Sequence, residues 1–361
     1  MTPEEQETIK AHANAIAAIL YQNTDTEKLQ SLEDIEQVVR QHMLESVSPQ
    51  VGGFFIETKT QTTAGKPRVL KSVIGSLEIT HQQGQALNVL PYVQISGHLE
   101  KCCLLLSANE SYARAEQDIQ FLTGMNVPHS TQQRFVHRHE FPEVGVSQSV
   151  EEMSLDGGKV RLRTPTGEPC IWNDYKAIQL HELATAAYFK ENAALVDWAN
   201  RQPLATPFIG LGDGHDGIWN LFAGIGTPEQ RHEILDWYHL KENLYNVPGS
   251  LHRIERVEAL LWKGKVDAAI DAFNGCLSSE AVNFVAHLKK HRSRIPNYEY
   301  LQHEGFSIGS GAVESAIKQI ARRVKLSGAQ WNAMNVPQLL KHRCAYLNGY
   351  FETSPQLLNR V

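Results

Sequence analysis

Long hydrophobic runs are missing from this chain, and no apolar stretch is long enough to span a membrane as a helix. Cysteine is scarce. Cys102, Cys103, Cys170, Cys276 and Cys344 make five, and none forms a C-x-x-C pair, so a zinc ribbon is not indicated. An odd count without disulfide-like spacing predicts a reducing, cytoplasmic setting. Excess basic charge is also missing: the net charge is -6, so nucleic-acid binding would have to rest on local patches. The opening Met1-Thr2-Pro3-Glu4-Glu5 is acidic and has no apolar core, so a signal peptide is not expected. Thr2-x-x-Glu5 with Pro3 predicts a helix start instead. A further absence is local. No Asp or Glu occurs between Ser315 and Phe351, while Lys318, Arg322, Arg323, Lys325, Lys341 and Arg343 all fall there.

What is present suits a globular protein of two or three domains: 361 residues, 42% hydrophobic and 20% charged. Residues 1 to about 48 predict two helices, the second with Leu32, Ile35, Val38, Val39 and Met43 on one face. Val51-Gly52-Gly53-Phe54-Phe55-Ile56 and the stretch from Val69 to Ile79 read as strands, giving residues 1–97 an α+β character. Residues 98–145 read as helical. A helix over Tyr112–Thr123 ends at Gly124, and Pro128 precedes another, which is the spacing of a helix-turn-helix. Its second helix is expected to expose Thr131, Gln132, Gln133 and Arg134, residue types that reach base edges and phosphates. An αα-corner packed in a core is the plain alternative.

Residues 146–351 read as α/β. Met153–Arg163 predicts a strand, a tight Gly157-Gly158 turn and a second strand. Ile171–Leu180, Thr206–Gly214 and Glu233–His239 predict further strands, and helices are expected at Asn192–Ala199 and from Ile218. A mixed sheet with helices on its faces follows from that order. Residues from about 242 to 303 read as an inserted helical subdomain. Near the C-terminal end, Gly309-Ser310-Gly311 predicts a tight loop opening a helix, with Ser310 as its cap. Val313, Ile317, Ile320 and Val324 form its buried stripe, and Glu314, Lys318 and Arg322 stack at intervals of four on another face.

Three acids stand out. Asp156 and Asp213 each sit where glycine follows, at predicted strand ends where ligands collect in open α/β sheets. Asp236 and His239 lie three apart at a strand-to-helix junction. Each has a plainer reading, as a turn residue, a helix cap or an i, i+4 ion pair. Converging carboxylates would bind hard ions such as Mg²⁺ or Mn²⁺, which promote in-line attack on phosphorus.

The motifs Leu155-Asp156-Gly157-Gly158, Leu211-Gly212-Asp213-Gly214, Ile218-Trp219-Asn220, Ile234-Leu235-Asp236-Trp237-Tyr238-His239 and Gly309-Ser310-Gly311-Ala312-Val313-Glu314-Ser315 occur in one order. In this the chain resembles the ISKra-type bacterial insertion-sequence transposases, relatives of the Mutator-like group, from about Ser111 to Arg343. The resemblance implies an RNase H-like catalytic core with an Asp-Asp-Glu triad and a helical insertion before the Glu. Carried over, the triad is Asp156, Asp213 and Glu314, binding Mg²⁺ or Mn²⁺, with Asp236 and His239 in support. It implies double-stranded DNA as partner, both transposon ends and target, bound by Thr131–Arg134 and by Lys318, Arg322, Arg323 and Lys325. It also implies a bacterial, nucleoid-associated location and a homo-oligomer on DNA. Two other functions fit the same residues: a non-catalytic helix-turn-helix regulator, and a structure-selective nuclease on the same fold.

Overall fold

The computed structural model describes residues 1–353, which divide into two units, Met1–Phe135 and Val136–Thr353. The boundary falls inside the 98–145 stretch. No helix among the described residues is long and apolar enough to cross a membrane.

The first unit opens with helix α1 (Pro3–Gln22), capped as its Thr2-x-x-Glu5 motif predicts: Thr2 Oγ1 accepts from Glu5 N at 3.2 Å. Helix α2 (Leu32–His42) follows, then α3 (Ser48–Thr60). The strand expected at Val51–Ile56 is therefore helical. Pro49 stands in the first turn, a position that suits a helix start. Gly52 lies so close to the next hairpin that a Cβ would sit 2.9 Å from the Ile74 and Leu77 side chains. Tertiary packing overrides the β-forming Phe-Phe-Ile run. Strands β1 (Pro67–Ser72) and β2 (Gly75–Thr80) form that antiparallel hairpin. Helices α4 (His81–Ala86), α5 (Gly97–Ser107) and α6 (Tyr112–Thr123) complete the series, and α7 (His129–Arg138) contains the boundary between the units. Gly124 ends α6 at φ 71°, a left-handed cap that glycine adopts without strain.

The second unit is α/β, built on one mixed five-stranded sheet. Its strands are β3 (Val150–Leu162), β4 (Ile171–Leu180), β5 (Ala184–Tyr188), β6 (Leu204–Gly212) and β7 (Arg231–Leu235), in the order β5-β4-β3-β6-β7. β3, β4 and β5 form an antiparallel meander; β6 joins β3 in parallel and β7 joins β6 in parallel. Helices α8 (Asn192–Asn200) and α9 (Asp216–Phe222) make the two crossovers. After β7 come α10 (Trp237–Tyr245), α11 (Leu251–Trp262), α12 (Val266–Asp271), α13 (Ser279–Lys290) and α14 (Tyr298–His303), then α15 (Gly311–Val324) and α16 (Val336–Leu347).

The hairpin expected at Met153–Arg163 is one continuous strand. Gly158 makes room for a cross-strand ring rather than a turn: a Cβ there would lie 2.2 Å from Tyr175. The last predicted strand also stops earlier than expected, at Leu235, because Asp236 caps α10.

Strand alternation assigns Asp156, Gly158, Val160 and Leu162 to one face of β3, with Ala177 opposite Asp156. Val160, Leu162, Tyr175 and Ala177 pack there with Ile320 and Val324 of α15 and with Leu339 and Leu340 of α16. Helix α15 thus lies over the face that carries Asp156. Its stripe behaves as the spacing predicts: Val313, Ile320 and Val324 are fully buried, and Ile317 packs against the cluster. Each such side chain contributes about 1.5–3 kcal/mol of hydrophobic stabilisation.

Candidate active site

Three acids stand at one level on three adjacent parallel strands: Asp213 and Asp236 directly follow β6 and β7, whereas Asp156, expected at a strand end, lies inside β3, which runs on to Leu162. Leu155 on β3 is in register with Gly212 on β6, and Gly212 with Leu235 on β7. The next residues are Asp156, Asp213 and Asp236. Parallel neighbours are about 4.8 Å apart, so the register alone brings the three into one row. The Asp236 N–H still donates to Gly212 O at 2.9 Å, which carries the ladder one residue past β7.

The three carboxylates have different surroundings. Asp156 Oδ1 accepts from Gly157 N at 2.5 Å. Burial pushes the Asp156 carboxyl up, and repulsion from Asp213 adds to it, against the Gly157 N–H, His239 and Lys176. Asp213 Oδ1 accepts from His215 N at 2.9 Å, fixing the turn that leads into α9. In that turn Gly214 has φ +96°. Asp236 is 2% exposed. Its Oδ1 accepts from Tyr238 N at 2.6 Å and His239 N at 3.0 Å, capping α10. Its Oδ2 accepts from both the backbone N–H and the hydroxyl of Ser310. Burial would raise its pKa, but the bonds from His239 and Ser310 outweigh burial and hold it down at about 2.

His239 Nδ1 lies 3.4 Å from Asp236 Oδ2. The bond to Asp236 raises the imidazole to about 9; burial opposes this, and Asp213 and Asp156 add to it. At neutral pH His239 is therefore a cation beside the acid row. The plain reading of Asp236, as a helix cap, holds, but the residue also ties down the loop before α15. Trp237 N donates to Ile308 O at 2.9 Å, and Ser307 N donates to Glu152 Oε2 at 3.1 Å. Gly309 packs against the Tyr238 ring so closely that a Cβ would sit 2.4 Å away. Ser310 does not cap α15 through its hydroxyl as expected, because Asp236 takes it.

Glu314 stands in the first turn of α15 and pairs with Lys318 at 2.6 Å on an exposed face. No group of three or more His, Cys, Asp or Glu side chains among the described residues is close enough to hold a metal ion as they stand. Asp156 and Asp213 do fit a hard divalent ion in chemistry: oxygen donors, side by side, with mutual repulsion that a cation would relieve.

The expected DNA-binding residues divide. Gln133 and Arg134 are exposed and Thr131 is half-buried, but Gln132 is fully buried and donates to Val127 O at 3.0 Å. It belongs to the packed side of α7, because the turn at Val127-Pro128 brings that carbonyl over it. On α15, Arg322 and Lys325 are exposed, but Arg323 is 1% exposed and stacks over Trp331 at 4.9 Å. Arg343 is buried as well, donating from Nε to Gln319 O at 3.1 Å. Arg323 falls three residues after Ile320, on the buried stripe, so it does not reach phosphates. Sequence reasoning missed Ser310 as Asp236's partner; only its place in the Gly-Ser-Gly loop pointed there.

No protein-family model matches the chain, and no curated protein matches it.

Proposed function

We propose that this chain is a metal-dependent DNA transposase with an RNase H-like core, resembling the ISKra-type insertion-sequence enzymes. The observation that carries the reading is the register Leu155–Gly212–Leu235, which sets Asp156, Asp213 and Asp236 at one level on three neighbouring parallel strands. The meander followed by two parallel strands, with helices inserted before α15, supports the RNase H-like fold. The α6–α7 pair supports a helix-turn-helix.

Asp156 and Asp213 would hold Mg²⁺ or Mn²⁺, with Glu314 as the third ligand. When bound, such an ion polarises the scissile phosphate and lowers the pKa of the attacking oxygen. Asp236 has its oxygens committed to α10 and Ser310, so it acts as a positioning residue, holding the start of α15 against the strand ends. His239 offsets the charge of the acid row. Water would cleave the phosphodiester at the element's end and free a 3′-hydroxyl; that hydroxyl would then attack a target phosphodiester in the same site, displacing the target strand's own 3′-oxygen.

Glu314 is held by Lys318, a pair it would give up to serve as a ligand. The pair is solvent-exposed, so the exchange costs about 0.5 kcal/mol at most. Incubation with the flanking inverted-repeat DNA and Mn²⁺, scored for cut and joined products, tests the reading. Cut products without joining would favour a nuclease, and binding without cutting a regulator.

A further inference from the structure

Strand β3 outruns its parallel partner. β6 pairs with it only as far as Leu155, whereas β4 stays paired to Leu162. Residues 157–162 and 171–176 therefore form a two-stranded arm. One face of the arm is buried under α15 and α16. The other carries Lys159 and Arg161, with Lys176 opposite Gly157 and the half-exposed Trp172 opposite Arg161. Arg163 continues the alternation and is exposed. Asp174, opposite Lys159, is the one acid of the arm on that face.

The row ends at an open polar cleft of about 800 Å³, lined by Arg161, Arg163, Thr164, Thr166, Gln330 and Asn332, with Glu168 its single carboxylate. Two segments lock its wall: Arg163 N donates to Trp331 O at 2.9 Å, and Trp331 N to Arg161 O at 3.1 Å. Arg161 donates from Nη2 to Cys170 Sγ at 2.6 Å, while its Nε is buried without a hydrogen-bond partner. Arg163 is exposed at the cleft, and a planar fork of donors matches phosphate oxygens. Alternate strand residues recur about every 6.7 Å, so the row suits a string of phosphates rather than one anion.

We propose that this face of the β3–β4 arm binds the phosphate backbone of duplex DNA, with the Arg161–Arg163 cleft holding one phosphate. The choice of DNA as the polyanion rests on the transposase reading. Arg161 is five residues along the strand from Asp156, about 17 Å, and on the opposite face of the sheet.

The test is DNA binding by the full chain without divalent metal, followed by fluorescence anisotropy across a salt series. Inverted-repeat and random duplexes are compared. Lys159→Ala and Arg163→Ala should each weaken both duplexes about equally and reduce the log–log salt slope by about one. Lys159→Arg and Arg163→Lys should keep the wild-type slope. Both positions are exposed, and circular dichroism checks that the variants fold. An unchanged slope in the double alanine variant overturns the proposal, as does a wild type that binds no duplex. Loss of inorganic phosphate binding in Arg163→Ala (phosphorus NMR) with an unchanged DNA slope also overturns it, in favour of a small-anion pocket. Because this binding is measured without metal, it is independent of cleavage: a wild type that shows these slopes but does not cut in the separate Mn²⁺ assay would sink the transposase reading and leave the DNA surface standing.

Discussion

Asp236 Oδ2 takes two hydrogen bonds from Ser310, one from the backbone N–H and one from the hydroxyl, across 74 residues of sequence. The acid ends a parallel strand, and the serine opens the helix that carries Glu314. A fully buried carboxylate with this many donors is stable only while they are present, so the pair fixes the start of α15 relative to the sheet.

Removing either partner should therefore cost stability. Ser310→Ala should lose about 1.5–3 kcal/mol, the worth of a hydrogen bond to a charged group. Asp236→Ala should lose about 3–5 kcal/mol, since it strands the donors of Ser310, Tyr238 and His239. Urea unfolding measures both. A loss below about 0.5 kcal/mol in Asp236→Ala would mean that the loop is held by something else.

The same cluster gives stability a pH window. The folded Asp236 carboxyl is held down at about 2, so its contribution is present above the unfolded value of about 3.9 and is lost as pH falls towards 2. His239 is raised to about 9 in the fold, so its contribution is full below about 6.5 and is lost as pH rises through 9. The cluster should stabilise most between about pH 4 and 6.5. Wild type should lose more stability than His239→Gln between pH 6.5 and 9. Equal losses would remove the His239–Asp236 pair from the account.

Much of this fold is visible in the sequence. The periodicity of α15 and the strands at Ile171 and Thr206 came out as spacing predicts. The misreadings have common physical causes. The Phe54-Phe55-Ile56 run suggests a strand and Gly157-Gly158 a turn, but Gly52 serves close packing on Ile74 and Leu77, and Gly158 on Tyr175. Charge was read as exposure, which fails for Arg323 and Arg343 because each finds a partner inside, Trp331 and Gln319. Asp before Gly made Asp156 and Asp213 legible as acids of interest, though only Asp213 stands at a strand end and Asp156 lies inside β3. Their common register was not legible, because pairing between distant strands leaves no local signal.

On the proposed reading, α7 carries a packed residue, Gln132, beside two recognition residues, Gln133 and Arg134. Gln132→Ala should cost about 1–2 kcal/mol, since it removes the bond to Val127 O, without altering the choice of DNA. Gln133→Ala with Arg134→Ala should leave stability within about 0.5 kcal/mol and weaken discrimination of end DNA from random DNA. Competition binding measures the second effect. Unchanged discrimination would move end recognition away from α7.

The central claim is that Asp156, Asp213 and Glu314 act together on a phosphodiester. Its most direct test is Mn²⁺-dependent cleavage of inverted-repeat DNA by wild type, Asp156→Asn and Glu314→Gln, with metal-free binding measured in parallel. Amides keep the shape of the side chains and remove the charge that holds a cation. Wild type should cut, and both variants should bind as well as wild type or better but leave the DNA intact. A Glu314→Gln protein that cuts at the wild-type rate would contradict the triad.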